Sequence, residues 1–132
     1  MTRLTSLLAI LTVALLLAAC PPFLPERAPR EMQPQEGTFE LREFTDDWQF
    51  VLTVAEPAER VVLFLSAPGL ATENPDCDVD SQIGDATLIR CAVPGVVETG
   101  FVVTVTADVR PFGTGSLFFE ADRTQPILFQ VE

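Results

Sequence analysis

From residue 38 onward the apolar residues recur at every second position. Trp48, Phe50, Leu52 and Val54 alternate with Asp47, Gln49, Val51 and Thr53. Phe101, Val103, Val105, Ala107 and Val109 alternate with Val102, Thr104, Thr106, Asp108 and Arg110. A period of two sets each series on one face of an extended strand, which is what a sheet with one buried face requires. Further strands are expected at 38–44, 60–66, 86–93, 115–121 and 126–131. In the first of these Phe39 and Leu41 share a parity and Phe44 does not, which predicts a bulge near Glu43. The stretch 60–66 is apolar on both parities, through Val61, Val62, Leu63, Phe64 and Leu65, and reads as a central strand covered on both sides. Nothing after residue 38 has helical periodicity. About seven short strands with turn residues between them predict an all-β, antiparallel β-sandwich. Nine of the ten Phe and the only Trp fall in 38–132 and supply the bulk of its core.

The residues before 38 have a different character. Positions 7–19 contain one polar residue, Thr12, with Arg3 ahead of them. That run is short for a membrane span and fits the apolar region of a signal peptide. It ends in Leu17, Ala18, Ala19 and Cys20, which resembles the lipobox of bacterial lipoproteins. The resemblance implies cleavage before Cys20 and acylation of that residue, giving a chain exported and lipid-anchored to a bacterial membrane, periplasmic or at the cell surface. More than one acyl chain is needed for stable attachment. Residues 21–37 carry Pro21, Pro22, Pro25, Pro29 and Pro34 and read as a semi-rigid spacer. In polyproline II form it would reach up to ~50 Å. The organisation expected is therefore a lipoprotein signal peptide at 1–19, a lipid-anchored Pro-rich linker at 20–37 and one sandwich domain at 38–132, within a chain of 132 residues.

Charge narrows the function. The chain has 8 Arg, no Lys, no His and no Tyr, against 19 acidic residues. With Arg3 lost in the leader, seven Arg remain against the 19, a net charge of −12. Such a surface repels phosphate backbones, so nucleic acid is not an expected partner. Without His, Lys or Tyr most proton-transfer groups are missing, and Cys91 has no His to activate it. A carboxylate pair of the glycosidase kind is the one chemistry left, and a sandwich of this size has little room for its cleft. The expectation is no enzyme and no cofactor.

Cys77 and Cys91 remain once Cys20 is assigned to lipid. In an oxidising compartment two such cysteines pair, closing a loop of about 15 residues for ~3 kcal/mol in the chain-entropy description. Around them Asp76, Asp78 and Asp80 space themselves as a calcium loop begins. Ser81 then stands where that loop needs Gly, and Thr87 where it needs Glu. A solvated acidic loop is the reading preferred, a weak Ca²⁺ site the alternative, and no metal is expected otherwise.

The segment 48–70, WQFVLTVAEPAERVVLFLSAPGL, resembles the first half of the conserved-repeat domain of bacterial surface proteins. Ala67, Pro68, Gly69 and Leu70 stand at its Leu-Pro-x-Gly-like turn. Cys77, the run Ile89 to Val93, Gly100 and the run Gly113 to Leu117 with Ala121 continue the likeness over about 48–122. It implies an immunoglobulin-like sandwich, with 113–121 in its last hairpin. The chain departs from the family at Glu56, Pro57, Ala58 and Glu59, where Asn and Gly are usual. Having no Lys, it also cannot form the isopeptide braces of some surface sandwiches. The Trp-Cys-Cys order is not that of antibody domains.

These features lead to a non-catalytic structural or protein-interaction module held at the cell envelope, an accessory subunit with an envelope protein as partner. Phe112 and Phe23 are candidate members of an apolar contact patch. The alternative is a ligand-binding lipoprotein, for saccharide or weakly for Ca²⁺, with Trp48 beside Asp46 and Asp47 as the sugar platform.

Overall fold

The structure is a computed structural model, and it describes residues 28–119 and 125–131. Ten strands occur among these residues: β1 (Arg30–Glu31), β2 (Gly37–Glu43), β3 (Trp48–Val54), β4 (Ala58–Pro68), β5 (Cys77–Ile83), β6 (Ala86–Ala92), β7 (Val96–Val97), β8 (Gly100–Val105), β9 (Phe112–Phe119) and β10 (Ile127–Val131). They form two sheets. The larger runs β1-β10-β9-β4-β6-β5, with β7 also on β4; the smaller is β2-β3-β8. All pairings are antiparallel except β1 with β10. The expected β-sandwich is therefore present.

The period-two pattern decides what each sheet buries. From the smaller sheet Phe50, Leu52, Val54, Val103 and Val105 face inward; from the larger, Leu63, Leu65, Ile89, Cys91, Leu117, Ile127, Phe129 and Val131 meet them. Two glycines on β9 make room for the largest rings. A Cβ at Gly113 would stand 2.6 Å from the Phe50 ring, and one at Gly115 would overlap the ring of Phe129. Glycine here serves packing. The residues 113–117, placed by family likeness in the last hairpin, lie on β9, which pairs antiparallel with the last strand β10; Ala121 lies outside the described residues.

Several local expectations change. β2 and β3 pair without a break from Gly37 opposite Val54 to Glu43 opposite Trp48, so no bulge forms at Glu43. Phe44 leaves the parity because it begins the turn, its N–H donating to the Asp47 carbonyl at 2.9 Å. The irregularities lie elsewhere, between Glu59 and Val62 on β4 and between Val79 and Ser81 on β5. β4 is central, paired with β6 and β9. Its two faces differ, however: Val61, Leu63 and Leu65 are buried in the core, whereas Val62 and Phe64 are half-buried on the other face. The strand expected to continue to Val109 stops at Val105, followed by one bridge between Ala71 and Thr106. The stretch assigned to the spacer enters the fold before residue 38. Arg30–Glu31 pairs with Ile127 and Leu128, and Met32 packs on the core.

Candidate interaction surface

Because directly paired residues share a face, the register identifies what the larger sheet shows on the side away from the smaller one. Phe64 stands beside Thr114 and Arg90, Ser66 beside Phe112 and Leu88, and Ser116 beside Val62 and Leu128. None of the apolar members of this set belongs to the core cluster. Phe112 is 53% exposed, Leu128 43% and Ile83 75%. Phe118 lies on the same face, under the guanidinium of Arg60. Phe112 thus falls in an apolar patch, as the sequence suggested it could, while Phe23 lies outside the described residues. The smaller sheet packs on one face of the larger, and among the described residues no strand lies over the other face.

The cysteines sit on the rim of this sheet. Cys77 on β5 and Cys91 on β6 are direct register partners, their Cα atoms 3.9 Å apart, and they form a disulfide. Cys91 is buried completely. Cys20 lies outside the described residues.

The acidic stretch is a strand and not a loop. Asp78 stands opposite Arg90, and Asp80 occupies the irregular position between Val79 and Ser81. Asp76 precedes the strand, its N–H donating to Asn74 Oδ1 at 2.9 Å and its carbonyl accepting from Ala92 N–H at 2.9 Å. Two residues apart on an extended strand, Asp78 and Asp80 stand roughly 6.7 Å from each other, and the irregularity at Asp80 breaks their alignment rather than converging them. Among the described residues no group of three or more His, Cys, Asp or Glu is gathered to hold a metal ion. The signal for this strand was present in the sequence. Cys77 and Val79 share the inward parity, opposite Cys91 and Ile89, although the irregularity at Asp80 then turns Ile83 to the outer face; Gly84-Asp85 is a two-residue hairpin turn, with Gly84 at φ 66°.

Trp48 is half-buried and packs against the core, opposite Glu43 and Val105. Asp46 is exposed beside it. The indole therefore serves the sandwich interior, as its parity with Phe50 requires. A different concavity exists: an open groove of about 820 Å³ beside β10, with Phe39, Phe64, Leu128 and Phe129 as apolar members and Glu31 and Glu40 among the polar ones.

The chain's entry into the sheet is held by charge. Both guanidinium nitrogens of Arg30 donate to the Glu36 carboxylate, one of them at 2.7 Å, and the Gln33 N–H adds a third bond at 2.9 Å. The Arg30 hydrogen bond, helped by that backbone donor, holds the Glu36 carboxyl below its ordinary range, while partial burial opposes the shift.

Comparison with protein-family models, curated proteins and solved structures finds no match to this chain.

Proposed function

We propose that the protein is an envelope lipoprotein, acylated at Cys20 and exported to a bacterial membrane, that acts as a non-catalytic protein-interaction module. Its role is that of an accessory subunit of an envelope assembly. The observation that carries this reading is the outer face of the larger sheet. Phe112, Leu128 and Ile83 are exposed there beside half-buried Val62, Phe64, Leu88 and Phe118. Exposed apolar side chains gathered on one face of a fold mark contact surfaces. The test has two parts. A clickable fatty acid fed to cells should label the wild type and not Cys20→Ala. A photo-crosslinking residue at Phe112 should capture one envelope protein stoichiometrically, which scattered weak adducts would contradict.

The groove beside β10 favours a second reading, a saccharide-binding lipoprotein, since apolar rings beside Glu31 and Glu40 offer both stacking and hydrogen bonds. Titration with oligosaccharides should then shift the amide resonances of Phe39 and Leu128. Unmoved resonances across a panel of neutral and acidic sugars would remove this reading.

A further inference from the structure

Among the described residues five strands pair on one side only, β1, β5 and β7 of the larger sheet and β2 and β8 of the smaller, and they are not equally open. The edge of β8 is covered. Thr72 Oγ1 donates to the Thr104 carbonyl at 2.7 Å, Asn74 Nδ2 to the Val102 carbonyl at 3.5 Å, and Ala71 bridges Thr106. At the far side of the larger sheet the edge strand is β1, only two residues long, its Arg30 and Met32 N–H groups donating inward to the Pro126 and Leu128 carbonyls, and β7 on β4 is equally short. That leaves β2 and β5. The apolar residues of β2, Phe39 and Leu41, turn inward to the core. β5 has the same length, seven residues, and likewise ends its sheet, but its apolar residues are open: Val79 is 62% and Ile83 75% exposed.

We propose that β5 is a docking edge for an extended, cationic segment of a partner protein, which adds beside Cys77–Ile83 as a further strand of the larger sheet. This deepens the interaction-module reading and rests on it. Charge selects the occupant. Asp78 and Asp80 are exposed on β5, with Asp85 in the turn that follows and Glu73 just ahead of it. A second copy pairing edge to edge would bring these carboxylates against their own counterparts, and like charges across strands destabilise the pair. The same carboxylates attract a strand carrying Arg or Lys at alternate positions, spaced roughly 6.7 Å apart. Repulsion of self and attraction of a cationic partner together make specificity, in a strand-addition mode whose affinity comes from main-chain hydrogen bonds. The Cys77–Cys91 disulfide ties β5 to β6, so the edge is ordered before anything binds.

The test uses the full lipoprotein in detergent micelles and a nine-residue peptide of alternating Arg and Val. Its control is the same peptide N-methylated throughout, which keeps the charge and removes the donors. Hydrogen exchange should slow at least tenfold for amides within 77–83 with the first peptide and remain unchanged with the second. Asp78→Asn combined with Asp80→Asn should weaken binding at least tenfold while the disulfide, checked by mass, stays intact. The proposal is overturned by equal binding of the methylated peptide, by protection confined to β2 or the outer sheet face, or by self-association through β5 without peptide. Should Phe112 crosslink a partner while β5 stays silent, the edge is wrong and the module reading stands; silence at both removes both.

Discussion

The guanidinium of Arg60 lies 3.5 Å from the centroid of the Phe118 ring, and Arg60 itself is held at φ 52°. The two facts have one origin. The register between β4 and β9 slips between Glu59 and Val62, and the residue in the slip adopts a left-handed conformation that costs a non-glycine residue about 1–2 kcal/mol. The cation over the ring returns about 0.5–1 kcal/mol at a partly exposed site. Arg60→Ala keeps the backbone cost and loses the ring contact; Arg60→Gly loses the contact and relieves the backbone. Denaturant unfolding should therefore rank Arg60→Gly above Arg60→Ala by about 1 kcal/mol. The reverse order would show that the backbone conformation is not the dominant cost.

The disulfide supports the edge of the larger sheet. Replacing both cysteines, as Cys77→Ser with Cys91→Ser, should lower stability by about 3 kcal/mol for a loop of this length. For a domain of this size that corresponds to a fall in Tm on the order of 10–20 °C. Because Cys91 is buried and Cys77 opens β5, exchange should accelerate first in β5 and much less in β4. A uniform acceleration across both strands would indicate that the bridge stabilises only globally.

The Glu36 carboxylate ties the turn before β2 to Arg30 on β1. Its folded pKa is depressed, so the stability it contributes is present above its unfolded value of 4.5 and is lost as pH falls through the lower folded value. Both side chains are partly exposed, which limits the contribution to less than about 1 kcal/mol. Glu36→Gln should remove the corresponding part of the acid-limb loss below pH 4.5 and leave the slope near neutrality unchanged. A pH profile identical to wild type would mean that the pair contributes nothing.

Gly115 is occupied by its neighbour's ring. With no space for a Cβ beneath Phe129, Gly115→Ala should destabilise by about 1–3 kcal/mol, the usual range for overpacking a tight core. The double variant Gly115→Ala with Phe129→Leu should recover part of that loss, as expected of residues in contact. Additive losses in the double-mutant cycle would place the strain elsewhere.

Trp48, the only Trp, reports its own burial. Half-buried against the core, it should emit at shorter wavelength in the folded protein and shift red on unfolding. An emission maximum that does not move would put the indole in solvent and reopen the sugar-platform reading.

Much of the sandwich is legible in the sequence because burial and strand geometry share one period. Trp48 to Val54 reads directly as β3, and Val61, Leu63 and Leu65 name the buried parity of β4. What local reasoning missed has a common cause. β5 was hidden because acidic side chains on an edge strand look like a solvated loop when only composition is weighed. β1 was hidden because two residues after a proline carry no period. Nor does the sequence show why β9 needs glycine at 113 and 115, since the space there is claimed by Phe50 and Phe129, which come from other strands.

The alternation of apolar residues was sufficient by itself to determine an all-β chain with one buried face per sheet, and two cysteines in such a chain were sufficient to suggest their pairing. Tertiary structure alone decided how strands divide between the sheets. Seven went into one and three into the other. That division and the strand order within it put Phe112 and Leu128 on the outer face of the larger sheet and make β5 its edge. Strand partners are chosen by non-local packing, whose free energy depends on residues far apart in the chain. No periodicity within a single segment encodes it.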